Sequence, residues 1–256
     1  AIAAAIVGDL FSWKTAYIIG GVLGILLLIM RIKMFESGLY KNLKDLSIGK
    51  GKFFSLFTSK DRFFRYLNCI LIGMPIWFVV GVLITFSPEF GKVLGIYGTI
   101  EAGKSIMFTY IGLIIGDFTS GFLSQLFRSR KKVFLIFISM TAVFIFIYLF
   151  IQGLSLFLFY TLCVMLGTSI GYWAVFVTTA SEQFGTNLRS TVSTTVPNFI
   201  RGTVVPITLA FEFLREYTGM IYSALIVGIA CLLLAYYALN NLEETFGKDL
   251  NYLENI

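Results

Sequence analysis

The sequence predicts an all-α protein that crosses a membrane several times, and three observations carry that prediction. The 256 residues are 57% hydrophobic and only 13% charged, where a soluble domain carries about 25% charged residues. The apolar residues fall into runs of about 20, the length that spans the hydrocarbon layer as a helix. Lys and Arg gather in alternate connections between those runs, as the orientation of membrane helices demands.

In chain order, residues 1–10 read as the end of a membrane helix, and 9–14 as a turn with Trp13 as an interface anchor. Residues 15–30 form the next span, closed by Arg31 and Lys33. The segment 34–64 is polar and basic; Phe53, Phe54, Phe57, Phe63 and Phe64 alternate with Lys50, Lys52, Lys60, Arg62 and Arg65. That mixture predicts short amphipathic helices lying on the inner membrane surface. A span at 66–86 holds Pro75 and Trp77, and 87–101 is a loop of balanced charge. Further spans are predicted at 102–126, 133–152, 156–180, 190–214 and 220–240, followed by a polar, acidic tail at 241–256. The run from Gly116 to Lys132 is the most informative connection. Its turn carries four positive charges and no acid, so it belongs on the cytoplasmic side. Upstream of the turn, Gly112, Gly116 and Gly121 with Ser120 and Ser124 suit close helix packing in lipid.

Charge distribution tests this layout. With residues 126–132 inside, fifteen of the twenty Lys and Arg lie on inner segments and four on outer ones, with Arg201 left inside the membrane. That asymmetry fits seven spans plus a stub. The net charge of +6 is therefore orientation charge and carries no nucleic-acid reading. The chain has no histidine, and Cys69, Cys163 and Cys231 lie far apart in apolar runs. No metal site, disulfide framework or cofactor is expected. The chain opens inside an apolar run without methionine, which reads as a fragment lacking its N-terminal part.

Two charges stand inside apolar runs. Asp117 should face protein or water, because an unpaired carboxylate in lipid is costly. Arg201 is eleven residues into its span, about 16 Å at 1.5 Å per residue and close to the bilayer centre. It shares a helical face with Thr194, Asn198, Thr208 and Glu212 on a helix interrupted by Pro197 and Pro206. A polar stripe on a broken helix suits the wall of an aqueous pathway; the alternative is a structural Arg paired with an acid such as Asp117 or Glu212. Trp77, Tyr172 and Trp173 fall near mid-span, where they could line a solute cavity or simply pack.

Five motifs carry a family resemblance. Gly121, Leu123, Arg130, Lys131 and Lys132 fit the loop signature G-x-L-x-D-R-x-G-R-R of the major facilitator superfamily, with Gln125 at its acid, Leu126 at its first base and Arg128 at its second glycine. Glu182 to Arg189 resembles the E-x-F-x-T-x-x-R element of the sugar-porter-like and metabolite–proton-symporter branches. Arg31 with Glu36 and Ser37 is similar to P-E-S-P-R, with Phe35 and Gly38 in place of its prolines, and Leu242 to Lys248 is similar to P-E-T-K-G with one residue inserted before the Gly. Trp13 to Tyr17 resembles the W-R-x-x-F opening of the sixth helix. The resemblance implies the end of helix five through helix twelve of a twelve-helix transporter. Its parts would be 1–34 from the N-terminal bundle, 35–65 a cytoplasmic central loop, 66–240 the C-terminal six-helix bundle and 241–256 a cytoplasmic tail.

Together these observations predict a secondary transporter in the inner or plasma membrane, moving a small organic metabolite by alternating access with protons as a coupling ion. An intramembrane guanidinium favours an organic anion. A sugar or polyol carrier and a non-transporting receptor or scaffold on the same fold are the alternatives. No enzymatic activity is expected, and the partners are lipid and solute, with the whole protein a monomer. Arg201, Asn198, Trp77, Tyr172 and Trp173 are the expected solute contacts. Asp117, Arg130, Lys131, Glu182, Arg189, Glu36 and Glu244 are the expected gating charges.

Overall fold

The computed structural model describes residues 2–11, 13–31, 52–249 and 251–254. Glu36 and most of the central loop lie outside the described residues, as does the side chain of Trp13. The chain divides into two units, Ala1–Ile48 and Gly49–Ile256. In the first, α1 (Ile2–Leu10) and α2 (Trp13–Arg31) pack on each other. Apolar side chains of α2 such as Ile18, Leu23 and Leu27 are exposed, as a lipid-facing helix requires.

The second unit starts with a 3-10 turn, Phe53–Phe57. Leu56 is fully buried there, and Phe53 stacks on Phe199 at 6.0 Å. The expected surface helices stop sooner than residue 64: a membrane-length rod begins at Lys60. Arg62, Tyr66 and Cys69 bury one face of its first turns, and that packing claims residues whose composition alone reads as surface. The rod comprises α3 (Lys60–Leu71), α4 (Met74–Phe78) and a π turn (Val79–Ile84). Pro75 cannot donate a backbone hydrogen bond, and the chain unwinds at Ile72 and Gly73 just before it.

Then follow α5 (Ser87–Val93), α6 (Ala102–Phe127), α7 (Arg130–Phe150), α8 (Leu156–Ser169), α9 (Trp173–Glu182), α10 (Thr186–Gly202) and α11 (Val204–Asn241). Arg128 takes the left-handed conformation, φ 48°, that ends α6, and the Ser129 hydroxyl caps α7 by accepting the Lys132 N–H. Helices α8 and α9 are one crossing broken at residues 170–172. The stretch Thr186–Asn241 is 56 residues long but reverses at Gly219, where φ is 76°. Before Gly219 it passes Gly73 at Ile200, Gly81 at Val204 and Phe90 at Phe211. After Gly219 it returns past Phe78 at Gly228 and past Ser139 at Tyr236. The described residues therefore hold six membrane-length helical stretches, the last of which folds into two antiparallel arms.

The tightest packing is between α6 and α8. A methyl group on Gly112 would sit 2.0 Å from the Val164 carbonyl, and one on Gly167 2.0 Å from that of Thr109. Backbones touch there, and only glycine permits it. Gly121, expected to share this role, faces open space. It lies one residue off the buried face formed by Gly112, Gly116, Ser120 and Ser124.

Candidate functional site

Both broken crossings open toward one place. The unwound turn of the first rod releases the Ile72 carbonyl, because Ile76 N–H turns to Gly73 instead. The Tyr172 hydroxyl donates to that carbonyl at 3.0 Å. At the break between α8 and α9, the freed Ser169 carbonyl accepts from the Thr141 hydroxyl at 3.0 Å. The Ala174 N–H, one of the orphan donors of α9, goes to the Asp117 carboxylate at 3.0 Å. Non-helical backbone at membrane depth is tolerable because these side chains satisfy it.

The breaks set Trp77 and Trp173 edge to face, with ring centroids 6.2 Å apart. Arg201 lies 5.4 Å over the Trp173 ring and donates to the Asn198 side-chain oxygen at 3.0 Å. Ile76, Val80, Tyr110 and Leu113 complete a cavity of about 150 Å³ around these groups. An open groove of about 420 Å³ continues along Asn198, Phe199, Gly202, Thr203 and Pro206. Trp77 Nε1–H is buried at this cavity and has no hydrogen-bond partner among the described residues. Arg201 makes no ion pair with a described acid: Glu212 is bound to Arg215 and Asp117 to the α9 backbone. An aromatic face and an amide hold the guanidinium while leaving its charge uncompensated.

Four of the five expected solute contacts thus come together. Tyr172 does not join them. It is fully buried between Phe134 and Phe137, and its hydroxyl is taken by Ile72. Its side chain clamps two broken helices and does not line this cavity.

The expected gating charges divide in two. At the end of the bundle where α6 turns into α7, Arg130 pairs with Glu182 at 3.3 Å, donates to Ser124 at 2.7 Å and lies 5.5 Å from the Phe246 ring centroid. Glu182 also accepts from Thr245 at 2.6 Å. Glu244 accepts the Ser129 hydroxyl and four backbone N–H groups, those of Arg130, Lys131, Thr245 and Phe246. It is therefore an anionic cap on α7. Burial alone would push its carboxyl up, but these donors outweigh that and hold it below the usual glutamate value. Lys131 reaches the Asn240 carbonyl at 3.4 Å, and Arg189 donates to the Phe184 carbonyl at 3.3 Å. Asp117 is not part of this cluster. It stands ten residues before the end of α6, about 15 Å away at 1.5 Å per residue.

Sequence reasoning missed how the tail is fastened. Tyr252 accepts the Thr186 N–H at 2.9 Å, and its hydroxyl donates to the Gln183 carbonyl at 3.0 Å. The Asn187 amide bonds both backbone groups of Glu254 at 3.0 Å, while the Glu254 carboxylate meets Arg65 at 2.9 Å. Residues 243–249 and 251–254 thus form a strap across the start of α3 and the α9–α10 turn. Gly185 admits it, since a Cβ there would lie 2.7 Å from the Glu254 nitrogen. The Asn and Gly at 187 and 185 were visible in the sequence, but nothing there shows what they face.

A sequence model of the Major Facilitator Superfamily matches residues 1–207. No curated protein matches the chain.

Proposed function

Because the chain belongs to the Major Facilitator Superfamily and is thus a membrane transporter, we propose that it carries a small organic anion by alternating access, coupled to protons. The observation that supports this reading is the state of Arg201. A guanidinium midway along the Thr186–Gly219 arm has an aromatic ring and an amide as neighbours and no described acid. A cation at that depth costs at least about 2.5–3.5 kcal/mol. A transporter recovers that cost when a carboxylate arrives and forms two parallel hydrogen bonds with the planar fork. Asn198 holds the fork in place, and Trp77 and Trp173 form the apolar walls beside it. Trp77 Nε1–H offers a second donor to an acceptor on the solute.

A sugar or polyol cargo fits less well. Six of the seven residues lining the cavity are aliphatic or aromatic and the seventh is Arg201, whereas polyol recognition needs several side chains that both donate and accept. In this reading the Arg130–Glu182–Thr245 contacts bias which end of the bundle is closed. The Arg130 and Glu182 side chains are only 14% and 11% exposed, so separating them would strand a buried charge, and a reversal of the equilibrium needs other partners for both.

The test is uptake into proteoliposomes of labelled monocarboxylates, sugars and amines, for the parent protein and two variants. Arg201→Lys keeps the charge and loses the fork. Its affinity for the transported acid should fall between a few-fold and about a hundredfold, since charge-assisted hydrogen bonds are worth roughly 1.5–3 kcal/mol. Arg201→Ala should lose acid binding while remaining folded. Full acid uptake by a well-expressed Arg201→Ala protein would refute the proposal.

A further inference from the structure

We propose that this cavity selects 2-oxo acids with an apolar body, and that Trp77 is the residue that reads their carbonyl oxygen. The inference rests on the anion reading of Arg201 and adds what the rest of the solute must be. It starts from the indole N–H of Trp77. Buried polar groups are almost always hydrogen-bonded, so an exception beside a cavity marks a missing partner. Of the buried polar atoms without a partner among the described residues, Trp77 Nε1 is the one at the cavity that holds Arg201. The backbone fixes it there. Trp77 lies on α4, five residues between the unwound turn at Ile72 and Gly73 and the π turn Val79–Ile84. Arg201 and Trp77 flank the same Trp173 ring, at 5.4 Å and 6.2 Å from its centroid. A carboxylate on the fork and an acceptor on the indole therefore belong to neighbouring carbons of a small solute.

The polar atoms around this cavity are mostly donors. The Arg201 fork and the indole N–H groups donate and cannot accept. Tyr110 is the one lining residue whose side chain does both. Asn198, beside Arg201, is already occupied. Its oxygen accepts from Arg201 at 3.0 Å, and its amide donates to the Thr194 carbonyl at 3.0 Å. Among the described residues no acid and no second base lines the cavity, and its other walls are Ile76, Val80, Leu113 and the two indole rings.

That inventory sorts acids that share one skeleton. A 2-oxo acid gives its carboxylate to the fork and its carbonyl oxygen to Trp77, and it has no hydrogen of its own to place. The same acid without the oxo group leaves the Trp77 N–H buried and unpaired. A 2-hydroxy acid accepts from Trp77, but its own hydrogen then needs an acceptor, and Tyr110 is the lining residue that supplies one. A 2-amino acid brings an ammonium that cannot accept. It sets a positive charge beside Arg201 and meets no lining acid. A dicarboxylate places its second charge against aliphatic and aromatic walls. A donor left unpaired in a dry site is the mismatch that binding sites reject most strongly.

The experiment titrates the purified protein in lipid nanodiscs, by calorimetry, with four acids of one branched skeleton. They are 4-methyl-2-oxopentanoate, 2-hydroxy-4-methylpentanoate, leucine and 4-methylpentanoate. The oxo acid should bind about five- to 150-fold more tightly than 4-methylpentanoate, with the hydroxy acid between them and leucine weakest. Trp77→Phe keeps an aromatic wall and lacks the N–H. In it the oxo acid and 4-methylpentanoate should bind within about twofold of each other. If that variant fails to fold, ultraviolet resonance Raman spectra of the parent protein decide the matter. The band that reports hydrogen bonding of indole N–H should shift with the oxo acid and stay in place with 4-methylpentanoate. Equal affinity of the parent protein for those two acids, a preference that survives in Trp77→Phe, or an unmoved band would overturn the inference while leaving the anion site standing. Failure of all four acids to bind would also overturn it, and uptake of a different monocarboxylate would still sustain the anion site. Binding of the oxo acid that survives in Arg201→Gln would instead refute the anion site.

Discussion

Replacing Glu244 tests the anionic cap on α7 most directly. Its carboxylate accepts one hydroxyl and four backbone N–H groups, of which the Arg130 and Lys131 N–H groups are orphan donors at the start of α7. Glu244→Ala strands those donors and removes a negative charge from the positive end of a helix. Losing an N-terminal cap costs about 0.5–2 kcal/mol, and the helix-end charge adds about 0.3–1 kcal/mol. Glu244 is exposed, so water replaces part of what is lost, and the net destabilisation should be about 1–2 kcal/mol. For a chain of this size that corresponds to a drop of about 2–8 °C in Tm. The pH dependence has a definite sign. The folded carboxyl lies below its ordinary value, so its contribution is complete above the unfolded value. It is lost as pH falls through the lower folded value. The gap between the parent protein and Glu244→Ala should therefore be full at neutral pH and close in acid. Thermal unfolding in detergent at several pH values measures it. An unchanged Tm at neutral pH, or a gap that widens in acid, would refute the reasoning.

Two further outcomes are expected. Gly167→Ala forces a methyl group to 2.0 Å from the Thr109 carbonyl, and helix backbones cannot yield that far locally. The overpacking cost of about 1–3 kcal/mol or more should appear as loss of folded protein in a detergent-exclusion chromatogram, whereas Gly121→Ala should be silent. For orientation, cysteines placed at Ser129 and Asn241 should be labelled by an impermeant reagent only from the cytoplasm, and one at the exposed Lys92 only from outside. Labelling of Ser129 from outside in sealed cells would reverse the assigned topology.

The crossings were legible because lipid imposes length and apolarity, and both are written in the residues. The positions of Asp117, Arg201 and the two tryptophans along their helices were legible for the same reason. Partners were not. Asp117 binds the Ala174 N–H, and every residue carries such a group, so no residue type announces the contact. Tyr172 shows the same limit from the other side. Its position in the span suits a cavity, yet a carbonyl freed by the break at Ile72 claims its hydroxyl. That break can be suspected from Gly73 and Pro75, but the direction in which it releases a carbonyl depends on packing. The start of the first rod at Lys60 was hidden because its buried face includes Arg62 and Tyr66, residues that alone suggest surface. The strap at 243–254 was read as a polar tail because its fastenings are largely main-chain atoms.

The strap has a consequence for how the protein is made. Residues 243–254 follow, in order of synthesis, every helix they fasten, and they join Arg65 of α3 to Gln183, Thr186 and Asn187 at the α9–α10 turn. All of these helices are thus inserted and packed while that end is still open. Fastening falls to a stretch that leaves the ribosome after all of them. Until then the α9–α10 turn exposes unpaired backbone groups to whatever surveys nascent membrane chains. A nonsense or frameshift lesion just after Asn241 would leave each crossing intact and still yield a product marked for degradation.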